Sequence, residues 1–174
     1  MFVASASVFS DVKHALRIGS AAQRRTKQRA AIAIVEHMVV SLAGERGAFG
    51  GADAADAPRE PPTSLLFARM LLGQLYDAAG LYSRALETFT AAISHSPTCV
   101  ELYMMKAKVL KHCGALTVAA DVIDLGRKMD LADRFVNTKC SKYLLRVRLR
   151  VRVRWHVSSP HHAPSRYRAP RGNI

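Results

Sequence analysis

The chain has 174 residues, 49% of them apolar, a net charge of +13 and three cysteines. That composition excludes a wholly disordered polymer, and the absence of any Cys-x-x-Cys pair excludes a zinc ribbon. An odd cysteine count with no framework spacing points to a reducing, intracellular compartment. No run approaches the ~20 apolar residues that a membrane span needs, so no membrane partner is expected and the localisation is read as cytoplasmic.

The charge is segregated along the chain. Residues 1–29 carry six Lys/Arg against Asp11, residues 146–174 carry eight Arg and no acid, and 12 Lys/Arg balance 12 Asp/Glu between them. The basic excess thus belongs to the two ends. The first 29 residues also share the Ser, Ala and Arg bias of mitochondrial transit sequences.

In chain order, residues 8–18 and 30–42 read as helices, the second with Ile34, Val35, Met38 and Leu42 on one stripe. Gly, Ala, Asp and Pro then fill residues 44–62, which read as a loop. Thr63 or Ser64 offers an N-cap to a helix that carries Leu65, Leu66, Met70, Leu72, Leu75 and Tyr76 as far as Gly80. A second helix follows from Tyr82 to His95, and Ser96-Pro97-Thr98 ends it.

The two-helix unit repeats, from Cys99 to Cys113 and from Leu116 to Met129, and a fifth helix opens at Asp133. Leu72, Gly73, Tyr76, Ala85, Phe89, Ala92 and Pro97 match the spacing of a tetratricopeptide repeat, with Arg69 where Trp is usual. Adding 34 residues lands on Lys106, Ala107, Leu110, Ala119, Ile123, Gly126 and Leu131. Small residues recur where paired helices approach, and bulky ones recur as knobs.

A third copy begins at Arg134, but after Leu145 the run Arg-Val-Arg-Leu-Arg-Val-Arg-Val-Arg-Trp has a strict period of two, which suits a strand. The expected organisation is a helical segment at 1–43, a loop at 44–62, repeats at 63–146 with the third truncated, and a disordered Arg-rich tail at 147–174. The fold class is all-α, a tetratricopeptide-type α-solenoid of antiparallel helix pairs with that basic tail. Two and a half units bury little continuous core, so marginal stability is expected.

Cys99, Cys113 and Cys140 fall among apolar helical positions and read as small buried hydrophobes. The histidines are scattered over separate units or the tail, and Gly44 to Gly51 lacks the Lys-Ser/Thr of a phosphate loop, so neither a catalytic residue nor a metal site is expected. The Lys and Asn pair of a carboxylate clamp is replaced by Met70 and Gln74. One cationic stripe stands out: Lys139, Lys142 and Arg146 lie at i, i+3 and i+7, with Lys128 and Arg134 nearby in sequence.

Three stretches go beyond a generic repeat: Glu60-Pro61-Pro62-Thr63-Ser64-Leu65-Leu66-Phe67, Lys106-Ala107-Lys108-Val109-Leu110-Lys111-His112-Cys113-Gly114, and Ala132 to Arg146. On these the chain resembles the auxiliary, ribosome-anchoring subunit of the N-terminal acetyltransferase A complex, of which it would be a middle slice. The resemblance implies a non-catalytic scaffold in co-translational N-terminal acetylation, with the catalytic acetyltransferase subunit and the ribosome as partners. It also implies no cofactor beyond an inositol polyphosphate at the subunit interface, held at Lys139, Lys142 and Arg146. Two other readings fit the residues alone: a generic protein-binding repeat adaptor, and a basic protein that meets nucleic acid through its termini.

Overall fold

The computed structural model describes residues 10–12, 14–44, 47–48 and 59–158, with side chains through residue 150. Helical residues at 10–12 and 14–17 precede six longer helices: α1 (Ala21–Ala43), α2 (Pro62–Ala79), α3 (Tyr82–His95), α4 (Val100–His112), α5 (Leu116–Met129) and α6 (Arg134–Ser158). Each packs chiefly on the next, and the described residues contain no strand. This is the expected all-α solenoid of stacked helix pairs.

The 34-residue period is written into the turns. Gly80 and Gly114 both adopt the left-handed conformation, at φ +77° and +84°, where a side chain would be strained. Behind them Leu81 donates its N–H to the Tyr76 carbonyl and Ala115 to that of Leu110, each at 2.9 Å. The same reversal thus closes α2 onto α3 and α4 onto α5.

Packing between paired helices follows a trade of volume across the repeats. A Cβ on Gly73 would lie 2.6 Å from the Phe89 ring, so the aromatic knob demands a glycine. One period later, Ala107 and Ile123 occupy these positions and both are buried: a smaller knob admits the methyl group. At the other contact the trade reverses. Tyr103 replaces Arg69, and Gly126, whose Cβ would lie 2.9 Å from that of Tyr103, replaces Ala92. Arg69 reaches the Ala91 carbonyl of α3 at 3.3 Å instead of filling the usual Trp site.

Ala85, Phe89, Ala92, Leu102 and Val109 join Met70, Leu72, Leu75 and Tyr76 in one core that α1 covers with Ile32 and Val35. Ala107, Leu110, Ala119, Ile123, Cys140 and Tyr143 form a second core between α4, α5 and α6. Pro97 is exposed and ends α3; its carbonyl accepts from the Tyr103 hydroxyl at 2.9 Å. On α1, Tyr76 Oη donates to Glu36, and Arg84 reaches the same carboxylate at 3.4 Å.

Several expectations are corrected. Helix α1 starts at Ala21, not residue 30, because Ser20 and Gln23 form a reciprocal capping box over a polar first turn without apolar periodicity. Its buried stripe is Ile32, Val35 and Leu42, whereas Ile34 is exposed: the run is apolar all round, and α2 selects the face. Helix α2 is capped by neither Thr63 nor Ser64; Pro62 occupies its first turn, where a missing N–H costs nothing, and Pro61 precedes it.

The largest correction concerns the Arg-Val alternation. Residues 146–158, read as a strand-like run entering a disordered tail from 147, continue α6 as helix. Val136, Cys140 and Tyr143 anchor the helix in the second core, Val147 extends that stripe, and no neighbouring strand exists among the described residues to pair with an alternating segment. Residues 159–174 of the expected tail, and most of the 44–62 loop, lie outside the described residues.

Candidate functional site

Helices α4 and α6 flank a surface depression of about 370 Å³. Met104, Met105, Ile123 and Tyr143 supply its apolar walls, and Lys108, Lys111, Lys139, Lys142 and Arg146 its charge, with Glu101 at one edge. The three cations singled out from the sequence therefore share one depression. The structure adds two that the sequence reading missed, Lys108 and Lys111.

The cluster has an electrostatic signature. Burial, followed by the positive charges of Arg146 and Lys108, pushes the Lys111 ammonium below its ordinary range, and Asp77 opposes the shift. Burial likewise pushes the Tyr143 phenol up, while Arg146 draws it down. Cations crowded around an open, partly apolar depression favour a multivalent anion over monovalent salt.

Neighbouring contacts fix the side chains. Lys108 Nζ lies 3.3 Å from Asp77 Oδ2, and Lys139 Nζ lies 5.0 Å from the centre of the Phe135 ring. Lys128 and Arg134 do not line the depression: Lys128 is tied to Asp124 at 3.0 Å on α5. The missed Lys108 carried a signal, since adding one period to it gives Lys142. Equivalent positions on successive first helices stack along one face of a solenoid.

On the other side of Lys108 lies a cavity of about 430 Å³, lined in part by Leu16, Leu71, Leu75, Gln74, Arg17 and Arg24. Met70 is buried, and Gln74 hydrogen bonds to the Met70 carbonyl at 3.3 Å, so neither presents a carboxylate clamp. The cysteines divide: Cys140 is buried, Cys99 half-buried, and Cys113, expected inside, is exposed beyond the end of α4. Burial raises the Cys99 and Cys140 thiols, which opposes nucleophilic use. Among the described residues no three His, Cys, Asp or Glu side chains could hold a metal, and no helix is long and apolar enough to cross a membrane.

Stacked helix pairs in a 34-residue register, with a cationic depression between first helices, define a tetratricopeptide-type solenoid, a class of protein-binding scaffold. Residues 6–151 match the family model described as "N-terminal acetyltransferase A, auxiliary subunit", and the chain belongs to that family. It is 48% identical over 91 residues to the human "N-alpha-acetyltransferase 16, NatA auxiliary subunit", covering 52% of this chain and 10% of that protein. It is 43% identical over 115 residues to the Arabidopsis thaliana "N-terminal acetyltransferase A complex auxiliary subunit NAA15", covering 64% of this chain and 12% of that protein.

The solved "Structure of Naa15/Naa10 bound to HypK-THB" aligns with a TM-score of 0.62 at 27% identity, over 80% of this chain and 19% of that one. The chain thus spans about a tenth of the length of these relatives.

Proposed function

We propose that this chain acts as a non-catalytic scaffold segment in cytoplasmic N-terminal acetylation, holding the catalytic acetyltransferase subunit and contributing to its placement at the ribosome. The observation that carries this reading is the family match over residues 6–151, which runs unbroken through both helix pairs and into α6. The solved neighbour is a complex of Naa15 with Naa10, which supports a catalytic subunit as the partner class.

The cationic depression fits an inositol polyphosphate held between scaffold and partner. Lys108, Lys111, Lys139, Lys142 and Arg146 would contact its phosphates, and Met104, Met105 and Tyr143 would face its ring. Isothermal titration of inositol hexakisphosphate into the chain with its catalytic partner tests the ligand: binding lost on Lys139→Glu supports it, and absence of heat removes it. Retrieval of the catalytic subunit or ribosomes by a tagged chain tests the scaffold.

A further inference from the structure

Lys108 stands between two demands. It lines the cationic depression against α6, and it also lines the neighbouring cavity, where its Nζ lies 3.3 Å from Asp77 Oδ2. The other oxygen of that carboxylate, Oδ1, accepts from His112 Nδ1 at 2.6 Å. The Asp77 side chain is 6% exposed and that of Lys108 is 47% exposed, so the acid is fixed and the lysine can turn. Sharing one buried carboxylate couples the position of Lys108 to the charge of His112.

Imidazole is the side chain whose charge ordinarily changes between about pH 5 and 8. With Nδ1 donating to Asp77, the second proton enters at Nε2, so the hydrogen bond persists while the charge changes. Neutral His112 leaves the Asp77 charge to Lys108. Protonated His112 takes a full share of that charge and repels the lysine ammonium one turn back on the same helix. Asp77 of α2 and the carboxyl end of α4, which holds His112, favour the imidazolium. Lys108 and Lys111 of α4, Arg17 from the first helical residues and Arg24 of α1 oppose it. Tyr82 of α3 places its ring 6.4 Å from the imidazole, and Arg150 of α6 is engaged with the Gly114 carbonyl at 3.2 Å.

We propose that His112 is a positioning residue for the polyanion depression: its protonation loosens Lys108 from Asp77 and turns that ammonium toward a bound polyanion. The depression then holds anions more tightly as pH falls, and a bound anion in turn makes His112 harder to deprotonate. The proposal rests on reading the depression as a polyanion site.

Inositol hexasulfate is the probe, because its sulfates stay ionised where phosphates would themselves titrate. Calorimetric titration into the full 174-residue chain at constant ionic strength should show affinity rising about fivefold or more between roughly pH 8 and roughly pH 5.5. His112→Gln keeps a donor for Asp77 without the titrating charge and should flatten that rise. Lys108→Met should weaken binding and flatten the rise as well. In the parent chain, an NMR titration of the His112 ring should show its midpoint moving up when the probe is bound, a readout independent of how any variant folds. An equal rise in the parent and His112→Gln, or a His112 midpoint indifferent to the probe, would overturn the proposal and leave the polyanion site standing. A rise retained in Lys108→Met would overturn it too, since the effect would not pass through Lys108. Absence of binding at every pH would remove the polyanion site and the proposal with it.

Discussion

His112 Nδ1 donates to the Asp77 carboxylate at 2.6 Å, joining the last turn of α4 to the end of α2 across the boundary between successive repeats. Lys108 reaches the other oxygen of the same carboxylate at 3.3 Å, and the Asp77 side chain is only 6% exposed. A buried acid thus fixes the spacing of two first helices and holds one cation of the basic depression in place.

Asp77→Ala is therefore expected to lower stability by about 1–3 kcal/mol, because two donors lose a buried acceptor while the surrounding packing stays closed. The urea midpoint of the full chain measures this. The substitution also removes the negative charge that opposes the shift of Lys111, so polyanion affinity should rise even as stability falls. Opposite signs in the two assays separate electrostatics from general unfolding.

Gly73→Ala places a methyl group against the Phe89 ring and should cost about 1–3 kcal/mol through overpacking. Gly80→Ala has open space around its Cβ and should cost about 1–2 kcal/mol through backbone strain alone. The double variant Gly73→Ala with Phe89→Ile, copying Ala107 and Ile123, should recover much of the first loss. Thermal or urea melts of the parent, Gly73→Ala, Phe89→Ile and the double variant close this cycle; no recovery would contradict the proposed volume trade.

Lys111 gives a pH test with a defined sign. Its folded value lies below the ordinary 10.5, so the unfolded chain holds the proton more tightly. Stability should then rise as pH climbs from the folded value toward 10.5, and Lys111→Met should flatten that window. A bound polyanion reverses the preference, so inositol hexakisphosphate binding should be accompanied by proton uptake in the same window and weaken as pH rises through it. Titration in buffers of different ionisation enthalpy measures the proton count.

Charge reversal maps the depression. Lys142→Glu and Lys108→Glu should each weaken hexakisphosphate binding by about tenfold or more, in line with the ~1.5–3 kcal/mol of a charge-assisted hydrogen bond. Lys128→Glu, outside the depression, should leave it near the parent value. Calorimetry of the three variants decides the matter.

The sequence showed most of the fold because the helix pairs follow local rules. Helices α3 and α5 have the expected bounds, set by left-handed glycines before them and, for α3, by the Ser-Pro-Thr stop after it. Two features resisted because their causes lie elsewhere in the chain. The Arg-Val alternation has the period of a strand, yet the core beneath Val136, Cys140 and Tyr143 holds its backbone helical. Three of the five cations of the depression were visible as the stripe Lys139, Lys142 and Arg146; Lys108 and Lys111 belong to another helix and join it only when the solenoid stacks.

The central claim, that this chain is a scaffold segment for an acetyltransferase, is tested most directly by co-purification. A tagged 174-residue chain expressed with the catalytic acetyltransferase subunit should retain that subunit in stoichiometric amount through size exclusion. A chain that elutes with an intact helical spectrum but without the subunit would contradict the account.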